Sequence, residues 1–134
     1  MNVSASVPEI SDLVGFQVAQ CLVDSGLSLL FRRGPHSALL RIEGLFRLRL
    51  DGEWELDPEG DRSLLGPSLR LLGRAIESAK LIASGELELA FSGDASLLLY
   101  RGVEYEAWTL NLPDDILVVS GVDGEVTVFR GPRA

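Results

Sequence analysis

The sequence predicts a mostly β fold in which two similar antiparallel meanders form a sandwich or flattened barrel, with one short connecting helix. Apolar and polar residues alternate with a period of two through most of the chain, as in Leu87 to Phe91. Turn residues such as Asp51-Gly52 separate the alternating runs. A similar series of runs occurs twice, which favours a doubled β-unit.

The composition fits one folded domain and disfavours binding to nucleic acid. The chain has 134 residues, of which 46% are hydrophobic, and this is enough to form a core. Its formal net charge of -8 would repel a phosphate backbone, and no run of Lys and Arg offsets that charge locally.

The cysteine content and the apolar runs indicate a soluble cytoplasmic protein that does not bind a membrane. Cys21 is the only cysteine, so no intrachain disulfide can form. The residues Met1 to Ser4 do not open a secretory signal. The run from Ile116 to Val119 is far shorter than the roughly 20 apolar residues that span a bilayer.

The first repeat is expected over residues 13–56, after an N-terminal lead over residues 1–12. Glu9 to Leu13 are expected to form one helical turn, with Ser11 as its N-cap, before Gly15 breaks it. The alternating pattern then predicts a first meander with a hairpin turn at Asp51-Gly52. The predicted strands cover residues 16–22, 27–31, 38–42, 46–50 and 53–56.

A loop over residues 57–61 and a short amphipathic helix are expected to connect the repeats. Proline fits only the first turn of a helix, so the helix is predicted to begin near Gly66 or Pro67 and to end at Leu72, with Gly73 as a left-handed cap. The second repeat, over residues 71–110, and a C-terminal hairpin over 116–130 complete a single domain over residues 13–130. The predicted strands cover residues 75–82, 86–91, 96–101, 103–110, 116–120 and 125–130, which makes about eleven strands in all.

The two predicted repeats match residue by residue at several turns and strands. Gly15 corresponds to Gly73, Val18 to Ile76, and Gly44 to Gly102. The matched stretches are Leu13-Val14-Gly15 with Leu71-Leu72-Gly73, Ser25-Gly26 with Ser84-Gly85, and Leu27-x-Leu29-x-Phe31 with Leu87-x-Leu89-x-Phe91.

A resemblance to a known family follows from these packing and turn motifs. The relevant stretches are Leu71-Leu72-Gly73-Arg74, Leu87-x-Leu89-x-Phe91, Tyr105-Glu106-Ala107-Trp108-Thr109-Leu110 and Asp51-Gly52-Glu53-Trp54. From about Leu13 to Phe129 the chain resembles a family of small bacterial β-rich proteins known only as a domain of unknown function. The resemblance implies a compact, β-rich cytoplasmic domain and assigns no catalytic residue.

A run of closely spaced acidic residues, which we call the acidic segment, is the main candidate for a binding surface. Every second residue carries a carboxylate, so on a strand these side chains would share one face and could attract a hard cation or a basic protein. An EF-hand register that starts at Asp51 places Leu56 where glycine is required and Arg62 where a glutamate is required. A solvated strand face that continues into a polar loop is therefore the favoured interpretation. The acidic segment consists of Asp51, Glu53, Glu55, Asp57, Glu59 and Asp61.

The sequence contains no clear catalytic constellation. His36 lies in a Gly-Pro turn, where a lone histidine is usually solvated, and a dyad would require the fold to bring it to Cys21. Neither G-x-G-x-x-G nor G-x-x-x-x-G-K occurs. The alternation predicts that Trp54 and Trp108 face the core.

The function favoured by the sequence is a non-catalytic protein-interaction module whose acidic surface contacts a basic protein. Such a module is compatible with an immunity- or antitoxin-like role and with homodimer formation. The alternative is a small-ligand or metal-binding domain, which predicts a concave apolar pocket with converging polar groups. No cofactor or resident metal is expected, and enzymatic activity is disfavoured.

Overall fold

The mostly β fold is confirmed by a computed structural model that describes residues 7–102 and 106–131. Eleven strands occur in these ranges, and all strand pairs are antiparallel. Of the predicted strand over 103–110, Val103 to Tyr105 lie outside the described residues. The strands are β1 (Gln17–Val23), β2 (Leu27–Arg33), β3 (His36–Ile42), β4 (Phe46–Arg49), β5 (Glu53–Leu56), β6 (Ile76–Leu81), β7 (Leu87–Phe91), β8 (Ala95–Leu99), β9 (Trp108–Leu112), β10 (Ile116–Ser120) and β11 (Val126–Arg130).

The strands form two sheets that enclose one hydrophobic core. The six-stranded sheet has the order β1-β2-β3-β9-β10-β11, and the five-stranded sheet has the order β5-β4-β8-β7-β6. Inward positions alternate with outward ones along each strand. The largest buried side chains include Phe31, Phe46, Phe91 and Trp108.

Each meander divides between the two sheets. The strands β1, β2 and β3 stay in the six-stranded sheet, but the chain crosses at residues 43–45, and β4 and β5 join the other sheet. The second series repeats this arrangement, because β6, β7 and β8 form one sheet and β9 and β10 cross over. The expectation of one continuous first meander is therefore wrong. Gly44, whose amide donates to the carbonyl of Ala107 at 2.9 Å, lies at the point where the chain changes sheets.

Main-chain hydrogen bonds join the sheets at one corner. The amide of Gly15 donates to the carbonyl of Ile76, and the amide of Gly73 donates to the carbonyl of Val18, both at 2.8 Å. Gly15 (φ 95°) and Gly73 (φ 84°) both have left-handed backbones, which glycine adopts without a steric penalty. Each also follows a short 3-10 helix. These matches support the internal repeat, which stays a prediction.

The helical segments differ in detail from the prediction. The connecting helix is a 3-10 helix over Arg62–Leu71 and begins earlier than expected, because the Asp61 side chain accepts a hydrogen bond from the amide of Ser63. Pro67 lies inside it. In the first 3-10 helix (Pro8–Leu13), Ser11 is not the N-cap, since its hydroxyl donates to the carbonyl of Pro8. No helix in the described residues has the length and apolar character needed to cross a bilayer.

Candidate functional site

The centre of the outer face of the six-stranded sheet carries almost no charge, and the exposed Arg32 lies beyond it towards the end of β2. Two rows of outward side chains cross all six strands, and their alignment follows from the strand register. Arg41 is the one charged residue among these twelve. We call this set the uncharged face. It consists of Gln20, Leu30, Leu39, Asn111, Leu117 and Phe129 in one row, and Leu22, Ser28, Arg41, Thr109, Val119 and Thr127 in the other.

Large apolar side chains make up half of the uncharged face, and several of them remain accessible. Phe129 is 55% exposed, Leu22 51% and Leu39 37%. Leu39 and Phe129 lie in one row, because Leu39 pairs with Leu30 and with Asn111, and Leu117 pairs with Asn111 and with Phe129. Leu22 lies in the other row. Isolated exposed apolar residues are common on protein surfaces, but several of them grouped on one sheet face typically mark an interaction site.

The single charge of the uncharged face is locally neutralised. Arg41 lies 3.0 Å from an oxygen of Asp24 and 3.3 Å from an oxygen of Glu43, and it also donates to the hydroxyl of Ser28. The amide of Gly26 and the Arg41 guanidinium hold the pKa of Asp24 below its ordinary value. The pKa of Arg41 is raised, chiefly by its hydrogen bond to Asp24. The guanidinium therefore contributes little net charge to the face.

The outer face of the five-stranded sheet has the opposite character. The strand register aligns ten outward residues in two rows, and six of them are charged. Positive and negative side chains lie next to each other in both rows, as in a solvated surface. The rows are Glu55, Arg47, Leu98, Glu88 and Lys80, and Glu53, Arg49, Ser96, Ala90 and Ser78.

The acidic segment spreads over a turn, a strand and a loop. Only Glu53 and Glu55 lie on β5. Asp51 occupies the preceding turn and pairs with Arg70 at 2.8 Å. Asp57 accepts a hydrogen bond from the amide of Glu59, and Asp61 caps the second 3-10 helix. In the described part of the chain, no three His, Cys, Asp or Glu side chains are grouped so that they could hold a metal ion.

Glu55 is the most strongly engaged member of the acidic segment. The hydroxyl of Tyr100 donates to it at 2.7 Å, and Arg47 donates to the same oxygen at 3.2 Å. The Tyr100 hydroxyl, followed by Arg47, lowers the pKa of Glu55. The same hydrogen bond raises the pKa of Tyr100, because ionisation would place two negative charges side by side.

The fold does not bring Cys21 and His36 together. Cys21 pairs with Leu29 and His36 pairs with Arg33, so the two positions differ by four residues along β2, or about 13 Å at the usual rise of a strand. Burial raises the pKa of the Cys21 thiol, which disfavours the reactive thiolate. Cys21 and His36 therefore lie too far apart to form a nucleophilic dyad, and burial disfavours the Cys21 thiolate.

A small cleft opens beside His36 at one end of the sandwich. Its volume is about 180 Å³, and apolar side chains such as Leu13 and Ile116 form part of its wall. The Arg33 guanidinium lies over the Phe16 ring at 4.9 Å and donates to the carbonyl of Val14. The polar side chains of the lining are Glu9, Asp12, Arg33, His36 and Asp114.

The two tryptophans differ in how far they enter the core. Trp108 is 1% exposed, and its indole N–H has no hydrogen-bond partner among the described residues. Trp54 is partly buried and packs against the edge of the core. The prediction that both tryptophans face the core therefore holds for Trp108, whereas Trp54 is only partly buried.

Adjacent apolar residues in the sequence are a signal for the uncharged face, in addition to strict alternation. Two adjacent apolar residues break strict alternation at Leu29-Leu30 and at Leu39-Leu40, and β10 begins with the apolar run from Ile116 to Val119. Such doublets place apolar side chains on both faces of a strand. Because these three apolar stretches lie on strands of the same sheet, their outward side chains align into rows.

The family comparison agrees with the resemblance expected from the packing and turn motifs. The model of a family described as "Family of unknown function (DUF6188)" matches residues 9–130, which is most of the chain. No curated protein and no solved structure gives a significant match. The chain therefore belongs to this family of unknown function.

Proposed function

We propose that the chain is a protein-interaction module without a catalytic role, and that it binds a partner through the uncharged face. The observation that carries this proposal is the contrast between the two outer faces. One of twelve aligned outward residues is charged on the six-stranded sheet, against six of ten on the other. Solubility alone would favour charges on both faces.

The uncharged face suits a partner with a complementary apolar surface. Six strands at about 4.8 Å spacing make it about 24 Å wide. Its exposed apolar side chains, among them Phe129, Leu22 and Leu39, can form the apolar part of an interface. Polar residues such as Asn111 and Thr109 can provide hydrogen bonds at its middle strand.

Affinity capture with paired variants tests this proposal. Leu39→Lys places a charge within the uncharged face, and Leu98→Lys places the same charge on the outer face of the other sheet. We expect a partner that binds the wild-type chain and Leu98→Lys to be lost with Leu39→Lys. Equal capture by both variants would contradict the use of the uncharged face.

The acidic segment is a second proposed contact, suited to a basic partner. Glu53 and Glu59 are exposed and form no ion pair in the described part of the chain. Salt separates the two contacts, since exposed charges are screened at high ionic strength and apolar burial is not. Binding through the uncharged face should survive high salt, and binding through the acidic segment should be lost.

A cytoplasmic location stays a prediction from the single cysteine.

A small-ligand function is the second candidate, favoured by the cleft beside His36. Its apolar wall and five polar side chains match the chemistry of a binding pocket. At about 180 Å³ it could admit only a small molecule. Thermal denaturation with and without small carboxylates, phosphate and Ca²⁺ would test this function. A shift that His36→Ala abolishes would support it, and no shift with any of these would remove it.

A further inference from the structure

Three of the four sheet edges are protected against pairing with another strand. Edge strands expose unpaired main-chain groups, which proteins usually cover or charge. The second 3-10 helix packs against β1, and the first packs against β6. β5 is open but short, and its exposed side chains are Glu53 and Glu55.

The fourth edge, β11, lacks these protections in the described part of the chain. β11 is the last strand of the six-stranded sheet, and no described strand pairs with its outer side. Its only charged residue is Arg130, which is engaged by Glu9 at 3.1 Å. The other four residues are Val126, Thr127, Val128 and Phe129.

The hydrogen bonds at both ends of β11 identify the main-chain groups that face outward. The amide of Gly121 donates to Glu125 at 2.7 Å, and the amide of Gly131 donates to Asp115 at 2.8 Å. In an antiparallel ladder, pairs that exchange hydrogen bonds alternate with pairs that do not. Glu125 and Gly131, which flank β11, bond to the β10 side, so Thr127 and Phe129 between them also bond to β10. The residues whose N–H and C=O point away from β10 are Val126, Val128 and Arg130.

We propose that two copies of the chain associate through β11 in an antiparallel pair, with a two-fold axis at Val128. In this register Val128 faces Val128 of the second copy, and Val126 faces Arg130 of the second copy. These are the residues with outward main-chain groups, so each facing pair can exchange two hydrogen bonds. The register is self-complementary, as a two-fold interface requires.

The side chains of β11 fit this register. On the outer surface, Thr127 faces Phe129 of the second copy, so part of the exposed Phe129 ring becomes covered. The two uncharged faces then form one continuous surface over twelve strands. The same symmetric pairing at β5 would set Glu53 against Glu55, and like charges at facing positions destabilise a strand pair. The partner in this contact is a second copy of the chain and the contact is the edge of β11, so this association is separate from binding through the uncharged face.

A proline at the centre of β11 is the direct test. Val128→Pro removes an N–H that faces away from β10, so the internal ladder keeps its hydrogen bonds. Glu53→Pro also removes an N–H that faces away from the neighbouring strand, at the other open edge and from a side chain with no ion pair among the described residues, and is the matched control. Sedimentation equilibrium over a concentration series should show a dimer for the wild-type chain and for Glu53→Pro, and a monomer for Val128→Pro.

Amide exchange in the unmodified chain provides an independent measurement. The amides of Val126 and Val128 should be protected in concentrated solution and should lose protection on dilution. A wild-type chain that is monomeric at all concentrations, or a dimer that persists in Val128→Pro, would overturn the inference. The dimer should also persist in Leu39→Lys, so failure of the uncharged face as a binding surface and failure of the β11 contact are separate results.

Discussion

Gln17 and Ala75 pair across the corner where the two sheets meet, and the hydrogen bonds around them form matched sets. The amide of Val18 donates to the carbonyl of Arg74, and the amide of Ile76 donates to the carbonyl of Phe16. The segment 15–18 and the segment 73–76 thus make equivalent bonds in opposite directions, since the bond from Val18 to Arg74 is matched by the bond from Ile76 to Phe16. This corner positions both sheets, because β1 and β6 begin there.

Replacement of Gly73 by alanine should destabilise the corner. Gly73 has a φ of 84°, and a methyl group added to its Cα would meet no atom within 4 Å, so the effect should come from the backbone alone. We expect Gly73→Ala to lower the free energy of unfolding by about 1 kcal/mol in chemical denaturation. Gly66→Ala is the matched control, since Gly66 is equally uncrowded and has no left-handed φ. An equal loss in both variants would contradict this explanation.

A charge in the centre of the core should prevent folding. Leu89 is fully buried on β7, and an unpaired carboxylate there would lower the free energy of unfolding by about 4 kcal/mol or more. Circular dichroism of Leu89→Asp should show loss of the β signal. Leu98→Asp, on the outer face of the neighbouring β8, and Glu53→Gln should remain folded. A folded Leu89→Asp would place Leu89 outside the core.

Removal of the Tyr100 hydroxyl should raise the pKa of Glu55. That hydroxyl is the main cause of the lowered pKa, so the stability that ionised Glu55 gives the folded state is lost progressively as the pH falls from the ordinary carboxyl pKa through this lowered value. In Tyr100→Phe the ionised Glu55 should stabilise the folded state less, so the loss of stability should be smaller and should be complete at a higher pH. Titration of the carboxyl groups by NMR would measure the pKa of Glu55 in both chains. The pKa of Asp61, which Ser63 lowers, should not change. An unaltered Glu55 titration would exclude the hydrogen bond.

Ser68→Ala should leave stability unchanged or increase it by up to about 1 kcal/mol. Ser68 is fully buried in the second 3-10 helix, and its hydroxyl has no hydrogen-bond partner among the described residues. Ser63→Ala is the control, since its hydroxyl donates to Asp61 at 2.6 Å, and this variant should be less stable. Thermal denaturation would rank the three chains, and a marked loss with Ser68→Ala would indicate a hydrogen bond to that hydroxyl.

Local patterns predicted the strands but could not predict which sheet each one joins. The bounds of β5 and β10 agree with the prediction, because alternation and turn residues are read over a few neighbouring positions. The predicted strands over 38–42 and 46–50 left an interruption after β3. It did not indicate that the chain crosses there to pair β4 with β8, because that pairing depends on residues far away in the sequence, such as Leu99 opposite Phe46.

The candidate surface was harder to predict than the fold. The acidic segment was prominent in the sequence because its charges are closely spaced along the chain. The uncharged face brings together side chains from six strands, and Leu39 and Phe129 share one row only through the register of β9 and β10. A surface of this kind therefore emerges from pairing, although the apolar doublets hinted at it.

The crossing of the chain at residues 43–45 has a consequence for how the protein is made. Each sheet is completed by strands from the other end of the sequence, so the first half to leave the ribosome cannot close its own sheet. It must wait, with one side of β3 and one side of β4 unpaired, until β9 and β8 have been synthesised. Folding should thus be a single late event that both halves share.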